Sequence, residues 1–430
     1  MNILHIASTD LRGAGSYVVA LNALLSANGH HSKLVVVFKT SKKPDIIGFI
    51  TFVKNKFLQS LLDRAILCFH RLQTFVKIGK TNPDYYFYNL DERKSNFSAE
   101  SILKKLDFTP DVIFVHWVSN FINTATIHKL QQLTHARLFW VMVDNAPITG
   151  GCHYPWTCKG YETDCSNCPA LLTPSKKQIA ARNFALKKVH IPSQLQILTL
   201  SSPDKMRAEK CSFYAGRKAE VIFHPVNENI FYPQPKFPSQ QALSISSDKK
   251  IIFFAATTIR EKRKGYTELQ EALKIFEQEI LRKGEDLQDY LLVIAGKQPP
   301  VYQGHIPVTY LGYLSEQAMV QAFNAATLFV CPTLEDSGPG ILGQAMLCGT
   351  PTVAFATGAA VDMIETGRSG YLVNWGESGE LSAGINFITH LDAEQYANME
   401  RACREIGLKT CSFKAVGDRI EVLNTTTNFE

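Results

Sequence analysis

Short β-branched or apolar runs, each bounded by turn-forming residues, recur along the whole chain and are separated by longer stretches of helical spacing. A chain that alternates strand and helix in this way must lay its strands parallel, because each crossover returns it to the same end of the sheet. In the first half the runs are Asn2–Ala7, Ser32–Val37, Val112–His116, Leu138–Val143 and Leu195–Leu200. In the second half they are Lys250–Ala255, Tyr290–Ala295, Thr309–Leu311, Leu328–Cys331 and Thr352–Phe355. The pattern predicts an α/β protein with two Rossmann-like, doubly wound domains. A length of 430 residues supports the same count, since it exceeds what one core comfortably serves. The expected division is an N-terminal domain over residues 1–220 with a Cys-rich insertion at 150–170, a C-terminal domain over 221–410, and a helical tail over 411–430 that packs back on the first domain. The stretch from Tyr232 to Asp248, rich in Pro, Ser and Gln, marks the region of the connection. Open sheets of this kind take ligands outside the carboxyl ends of their strands, so two of them facing across a cleft offer one pocket for each of two ligands.

Composition narrows the class. A hydrophobic fraction of 45% with 20% charged residues buries enough surface to offset chain entropy, which excludes a disordered chain. The sequence has no apolar run of about 18 residues, and its opening lacks the basic start and cleavage site of a signal peptide. A cytoplasmic protein is expected. The formal charge of +6 is modest, but it is unevenly spread. Between 41 and 80, Lys42, Lys43, Lys54, Lys56, Arg64, Arg71, Lys77 and Lys80 face only Asp45 and Asp63, among apolar residues at helical spacing. Two readings stand for this stretch: an ordinary basic amphipathic helix, or one that rests on an anionic membrane face and makes the protein peripheral to the inner side of the plasma membrane. Nucleic acid is not an expected partner, since no recognised binding motif accompanies the charge.

The strand Leu328–Cys331 runs into the loop Pro332 to Gly340, a helical segment follows, and Gly349-Thr350-Pro351 leads to the next strand. Gly338, Pro339 and Gly340 let backbone approach a ligand closely, and N–H groups at the start of the following helix favour a diphosphate. This segment resembles retaining glycosyltransferases of family 4, a GT-B family that carries a pair of glutamates around this loop and helix, followed by Ala-Met and Gly-x-Pro. Alignment on Ala345-Met346 and Gly349-Thr350-Pro351 puts Asp336 at the first acidic position and Gln344 at the second. The resemblance implies that Asp336 sits near the donor sugar and that Gln344 contacts the ribose, without the charge-assisted bond a glutamate would make. The run Ile259 to Leu269 resembles the family's Arg and Lys-Gly element, whose cations hold the donor diphosphate. Lys264 matches through its neighbour Gly265, and the arginine is either Arg260 or Arg263. Val293 to Gly296, Tyr310 to Leu314 and Gly367 to Val373 add fold markers of the same family.

In the first half, Asp10 to Tyr17 resembles the family's N-terminal Gly-rich loop, which implies that Gly13 and Gly15 approach donor phosphate and acceptor. His116, closing a strand, is a candidate for acceptor orientation or proton relay, and a core histidine is the other reading. The run Phe139 to Tyr154 looks like a subgroup from bacterial colanic-acid, capsular and O-antigen pathways, in which a His-Asp pair precedes Thr-Gly-Gly-Cys-His-Tyr. Here Val143 stands in place of that histidine, leaving Asp144 or His153 for the polar role. Cys152, Cys158, Cys165 and Cys168 then follow as C-x5-C-x6-C-x2-C. They read as a structural zinc site or as reduced packing thiols, with disulfides or another metal as further alternatives. The remaining six cysteines (Cys68, Cys211, Cys331, Cys348, Cys403 and Cys411) read as buried or inert.

The resemblance implies a hexosyltransferase-type enzyme that takes a sugar from a nucleotide diphosphate donor to a saccharide or lipid-linked acceptor in cell-surface polysaccharide and lipopolysaccharide synthesis, with retention. It needs no metal cofactor for catalysis, because Lys264 and its arginine partner carry the charge of the leaving group. A sugar-nucleotide epimerase of the same architecture and a non-catalytic sugar-nucleotide-binding partner of an assembly complex remain as alternatives.

Overall fold

The computed structural model describes residues 1–51, 76, 78–89, 91–245, 248–299 and 301–425. Two compact units emerge. Residues Met1–Leu200 and Asp204–Ile222 belong to the first, together with Asn424, and Ser201–Pro203 and Phe223–Leu423 form the second.

The first unit is built on a sheet of strands β1 (Asn2–Thr9), β2 (His31–Lys39), β3 (Ile46–Thr51), β4 (Val112–Val115), β5 (Arg137–Met142), β6 (Gln196–Thr199) and β7 (Glu220–Val221), in the order β3-β2-β1-β4-β5-β6-β7. All its pairings are parallel. The central strands read as continuous apolar runs because helices cover both faces, and Ile3, Leu4, Ile113, Phe114 and Val115 are all fully buried. The order reverses between β1 and β4. Asp10, just past β1, holds this edge together: its carboxylate accepts from Thr40 N, Thr40 Oγ1 and Ser41 N at 2.7–3.0 Å, tying the end of β1 to the end of β2.

The second unit repeats the plan with β8 (Lys250–Ala255), β9 (Tyr290–Ala295), β10 (Val308–Tyr310), β11 (Leu328–Cys331), β12 (Thr352–Phe355) and β13 (Gly370–Val373), ordered β10-β9-β8-β11-β12-β13. Counted within its own unit, each sheet therefore starts 3-2-1-4-5-6. The helix Tyr266–Arg282 buries Leu269, Ala272, Leu273, Phe276 and Ile280, the stripe expected where one helical face meets a sheet. In the core, the Phe253 ring packs against Phe323 and Phe329 at centroid distances of 5.5 and 5.7 Å.

Four expectations change. The units divide at Ile222–Phe223, close to the expected 220/221, but the Pro-rich stretch expected to mark the connection lies inside the second unit, where the helix Lys236–Ala242 packs on the helix Glu316–Ala325. Pro238 is tolerated there because first-turn N–H groups have no helical partner to lose. Within the basic stretch, Ile46–Thr51 is strand β3, not helix: its β-branched run pairs with β2, and a Cβ on Gly48 would come 2.6 Å from that of Lys39. Lys54, Lys56, Asp63, Arg64, Arg71 and Lys77, which carry most of the membrane reading, lie outside the described residues, as does Cys68. Gly13 and Gly15 occupy the first turn of the helix Arg12–Ala27 rather than a loop before it. Lastly, the tail forms the helix Phe413–Thr425, which is counted with the second unit as far as Leu423; at Asn424, Arg137 of the first unit donates to the backbone carbonyl. Among the described residues no helix is long and apolar enough to cross a membrane.

Candidate functional site

At the carboxyl edge of the second sheet, two loops meet at one carboxylate. After β8 the chain turns through a short 3-10 segment, Lys262–Lys264, and is stopped by Gly265 in the left-handed region, with φ of 66°. Only glycine fits there, since a Cβ would lie 1.7 Å from the carbonyl oxygen of Pro332. That close approach sets the loop after β8 against the loop after β11, and Leu334 N donates to the Arg263 carbonyl at 2.8 Å. Asp336 is thereby placed between two cations. Its Oδ2 accepts from Lys264 Nζ at 2.7 Å and from Arg263 Nη1 at 2.8 Å, while Oδ1 accepts from Gly338 N at 3.3 Å. Arg263 is held from its other side by Glu261 at 2.8 Å.

The carboxylate is 14% exposed. Burial pushes its pKa up, but the charges of Lys264 and Arg263 outweigh this and hold it at about 2. Of the two arginines left open by the sequence, Arg263 joins Lys264 on Asp336, whereas Arg260 is exposed and lies outside this cluster. Beyond Asp336, Ser337 is fully buried, and its hydroxyl has no hydrogen-bond partner among the described residues. Pro339 then caps the helix Gly340–Leu347. A Cβ on Gly340 would lie 2.8 Å from the His224 ring, so the helix start is packed directly on that imidazole. Burial lowers the His224 pKa to about 4, leaving it neutral at physiological pH. Gln344, one helical turn further, is half-buried, and its side chain makes no hydrogen bond to any described residue.

The first unit gathers a second polar cluster at the carboxyl ends of β4 and β5. His153 Nδ1 lies 2.7 Å from Asp144 Oδ2, and its Nε2 lies 3.1 Å from Ser119 Oγ. The other carboxylate oxygen of Asp144 accepts from Ala146 N at 2.9 Å. Ser119 Oγ in turn donates to Asn89 Oδ1 at 2.6 Å, and Trp117 Nε1 approaches His153 Nδ1 at 3.1 Å. Asp144 and His153 therefore act as one buried unit, and His153 is the first histidine that follows Val143 in the sequence. His116 stands apart. It is 2% exposed, its Nε2 is 3.0 Å from His5 Nδ1, and burial together with the neighbouring His5 holds its pKa well below the usual range. His116 is thus packed in the core against His5 and stands outside the Asp144–His153 cluster. Gly15 needs its bare backbone, because a Cβ would meet the Asp10 carbonyl carbon at 2.7 Å, whereas a Cβ on Gly13 would project into open space.

A family described as glycosyl transferases group 1 matches residues 249–390, the stretch that contains Arg263, Lys264, Asp336 and Gln344. These residues are thus similar to that family of glycosyl transferases. The uncharacterised glycosyltransferase MJ1607 of Methanocaldococcus jannaschii is 22% identical over 287 residues, covering 63% of this chain and 64% of that protein. The D-inositol 3-phosphate glycosyltransferase of Mycolicibacterium smegmatis is 27% identical over 197 residues, 44% of each chain. The chain thus spans less than two thirds of the length of these relatives. Among solved structures, sucrose-phosphate synthase from Thermosynechococcus elongatus superposes with a TM-score of 0.62 at 15% identity, covering 99% of this chain and 98% of that one. WaaG, a glycosyltransferase of lipopolysaccharide biosynthesis, gives 0.61 at 11% identity, covering 98% and 100%. Anabaena HepE, solved with UDP and glucose, gives 0.59 at 14% identity, covering 99% and 100%. At these identities the likeness gives the fold, which is GT-B with two Rossmann-like domains.

Sequence reasoning missed several members of both clusters. In the second unit these are Glu261, which braces Arg263, and His224, which supports the start of the Gly340 helix. Glu261 reads in sequence as one more charge in a basic turn, and His224 carries no local signal, since it reaches Gly340 across more than a hundred residues. Ser119, Asn89 and Trp117 were missed in the first unit for the same reason.

Proposed function

We propose that the protein is a retaining glycosyltransferase that moves a hexose-type sugar from a nucleoside-diphosphate donor to a saccharide or lipid-linked acceptor in bacterial cell-surface polysaccharide assembly. One observation carries this reading: Arg263 and Lys264 converge on Asp336 beside a Gly-Pro-Gly helix start, inside the stretch that matches the glycosyl transferase family. Without donor, the carboxylate neutralises both cations. A diphosphate carries more charge and more acceptor oxygens than one carboxylate, so it draws Arg263 and Lys264 onto itself. As the bond from the sugar to the diphosphate breaks, negative charge grows on the leaving group, and cations already fixed in place lower the barrier. Asp336, released from them, accepts from sugar hydroxyls, which a carboxylate does well. The N–H groups at the start of the Gly340 helix add the positive end of its dipole, and the Gln344 amide is assigned to the ribose. Asp144 with His153 is assigned to the acceptor side, and Gly13 keeps the start of the first helix open. The two cations do the work of a divalent ion, so transfer is expected without added magnesium or manganese. HepE, with its bound UDP and glucose, and WaaG, with its role in lipopolysaccharide synthesis, favour this donor class and setting by analogy of fold.

The test is a calorimetric screen of the purified chain against UDP-, GDP-, ADP- and dTDP-sugars, followed by mass analysis of products formed on lipid and saccharide extracts. One donor is expected to bind and be consumed only with acceptor present, and Lys264→Ala is expected to lower turnover by about 10²–10³-fold. If no sugar nucleotide binds, the proposal fails. Interconversion of the donor sugar with no acceptor would identify an epimerase, and tight donor binding without any transfer would identify a binding partner.

A further inference from the structure

The segment from Thr149 to Lys177 contains the short 3-10 turns Gly160–Glu162 and Pro174–Lys176, and is tied by backbone pairing only near its ends, through the isolated bridges Phe87–Cys152 and Thr81–Leu171, so the stretch between them must be held by other contacts. Four cysteines occupy it, and all four line one small cavity. Cys152, Cys158, Cys165 and Cys168 line it together with Gly160 and Tyr161, and its volume of about 20 Å³ is enough to admit an atom of the size of a water oxygen or a metal ion. All four thiols are free, and all but Cys158 are buried. From Gly160, an ideal Cβ would lie 3.5 Å from the Cys158 sulfur and 3.7 Å from the Cys165 sulfur, so these two face the same point. Gly160 N already donates to Cys158 Sγ at 3.4 Å. Cys165 adopts φ of 58°, a conformation that costs a non-glycine residue on the order of 1 kcal/mol and persists where surroundings impose it.

We propose that these four cysteines bind one zinc ion as a closed tetrathiolate site that fixes the Thr149–Lys177 segment. Binding forms four zinc–sulfur bonds and releases four thiol protons to solvent. Zinc suits the ligand set because soft thiolates at tetrahedral spacing select it, and four sulfurs leave no open position for chemistry, so the role is structural. Among the described residues no three such side chains yet stand within metal-bonding distance of one point, so closure requires inward rotation of the thiols. The resulting negative charge has a counterion at hand. Lys187 is 1% exposed, donates to the carbonyls of Ala146 and Thr149, and lies within electrostatic range of Cys152 and Cys165. His153 is no ligand, as both its ring nitrogens are engaged by Asp144 and Ser119.

The site is tested on the full chain, produced in zinc-supplemented medium without a metal-binding tag and desalted against a weak chelator. Elemental analysis is expected to give about one zinc ion per chain. A Cys165→Ser, Cys168→Ser double variant should lose at least about tenfold of that content, while Cys211→Ser, at a buried thiol outside the cavity, keeps it. Should the double variant not fold, the unmodified chain still decides: cobalt exchanged for zinc must give the intense thiolate-to-cobalt absorption of a four-sulfur site. A chain with no stoichiometric metal, a cobalt spectrum without sulfur bands, or a disulfide among these four residues overturns the proposal.

Discussion

Replacing Asp336 by asparagine keeps the shape of the side chain while removing the charge on which Lys264 and Arg263 converge. The cost follows from how far the native environment favours the ionised form. The carboxyl sits at about 2 against an ordinary 3.8, a difference worth about 2 kcal/mol at neutral pH. Removal of one partner from a fully buried pair costs about 3–5 kcal/mol. Lys264 and Arg263 remain 20% and 14% exposed, so water recovers part of that, and the smaller figure is the better guide. Asp336→Asn is therefore expected to lower the stability of the second unit by about 2 kcal/mol at pH 7. Because the native pKa is depressed, the wild-type advantage is complete above pH 4 and fades as the pH falls through about 2, where the carboxylate takes up its proton. Urea titrations at several pH values, with protection of β8–β12 peptides read by hydrogen exchange at one common labelling pH, measure both quantities. Affinity for a nucleoside diphosphate lacking sugar should hold or rise, since the two cations no longer have to leave a carboxylate, while turnover of the whole donor falls. A variant as stable as the wild type at pH 7, or a deficit that persists unchanged at pH 2, would refute the electrostatic account.

Four further outcomes follow from the same geometry. Gly265→Ala should cost more than about 2 kcal/mol, because the left-handed backbone and the contact with Pro332 act together, whereas Gly284→Ala, with φ of 76° in open space, should cost about 1 kcal/mol by thermal or urea unfolding. Arg263→Ala should lower transfer by about 10²-fold and Arg260→Ala by only a few-fold in steady-state assays; equal losses would reject the assignment. Acidification from pH 7 to pH 5 should destabilise the first unit by about 2 kcal/mol through His5 alone, since burial holds its pKa near 3 and the unfolded chain takes up the proton that the native state refuses. A melting temperature that is flat over this range in the wild type, or an equal slope after His5→Phe and His116→Phe, would reject that view. Asp144→Ala should expose the His153 ring to loss of its orienting partner and cost about 1–3 kcal/mol, detected as lowered melting temperature with the secondary structure intact.

The strands buried on both faces were legible almost to the residue. β8, β9, β11 and β12 coincide with the apolar runs read from the sequence, because a strand covered on both sides needs apolar residues at every position. β3 was hidden by the lysines around it and by Gly48, whose role is visible only once β2 lies alongside. β7, two residues long, offers no pattern at all. The family resemblance brought Lys264 and Asp336 to notice separately, but their contact spans 72 residues, and periodicity reports only neighbours within an element. That Arg263, and not Arg260, reaches Asp336 depends on a single 3-10 turn and the glycine that stops it. The contact of His116 with His5 was not legible, because His5 lies on a strand read purely as core and the pair is 111 residues apart.

Each sheet starts in the same order, 3-2-1-4-5-6, and in each the polar cluster hangs from the loop that follows the fourth strand: Trp117 to Ser119 after β4, and Pro332 to Gly340 after β11. On the proposed function, the scaffold thus offers the same loop position twice, once per unit, for contact with a ligand. Exchanging the fourth-strand loop among related chains should retune ligand choice while leaving the β1–β4 and β8–β11 pairings untouched, so specificity can drift at one address per unit without renegotiating the core.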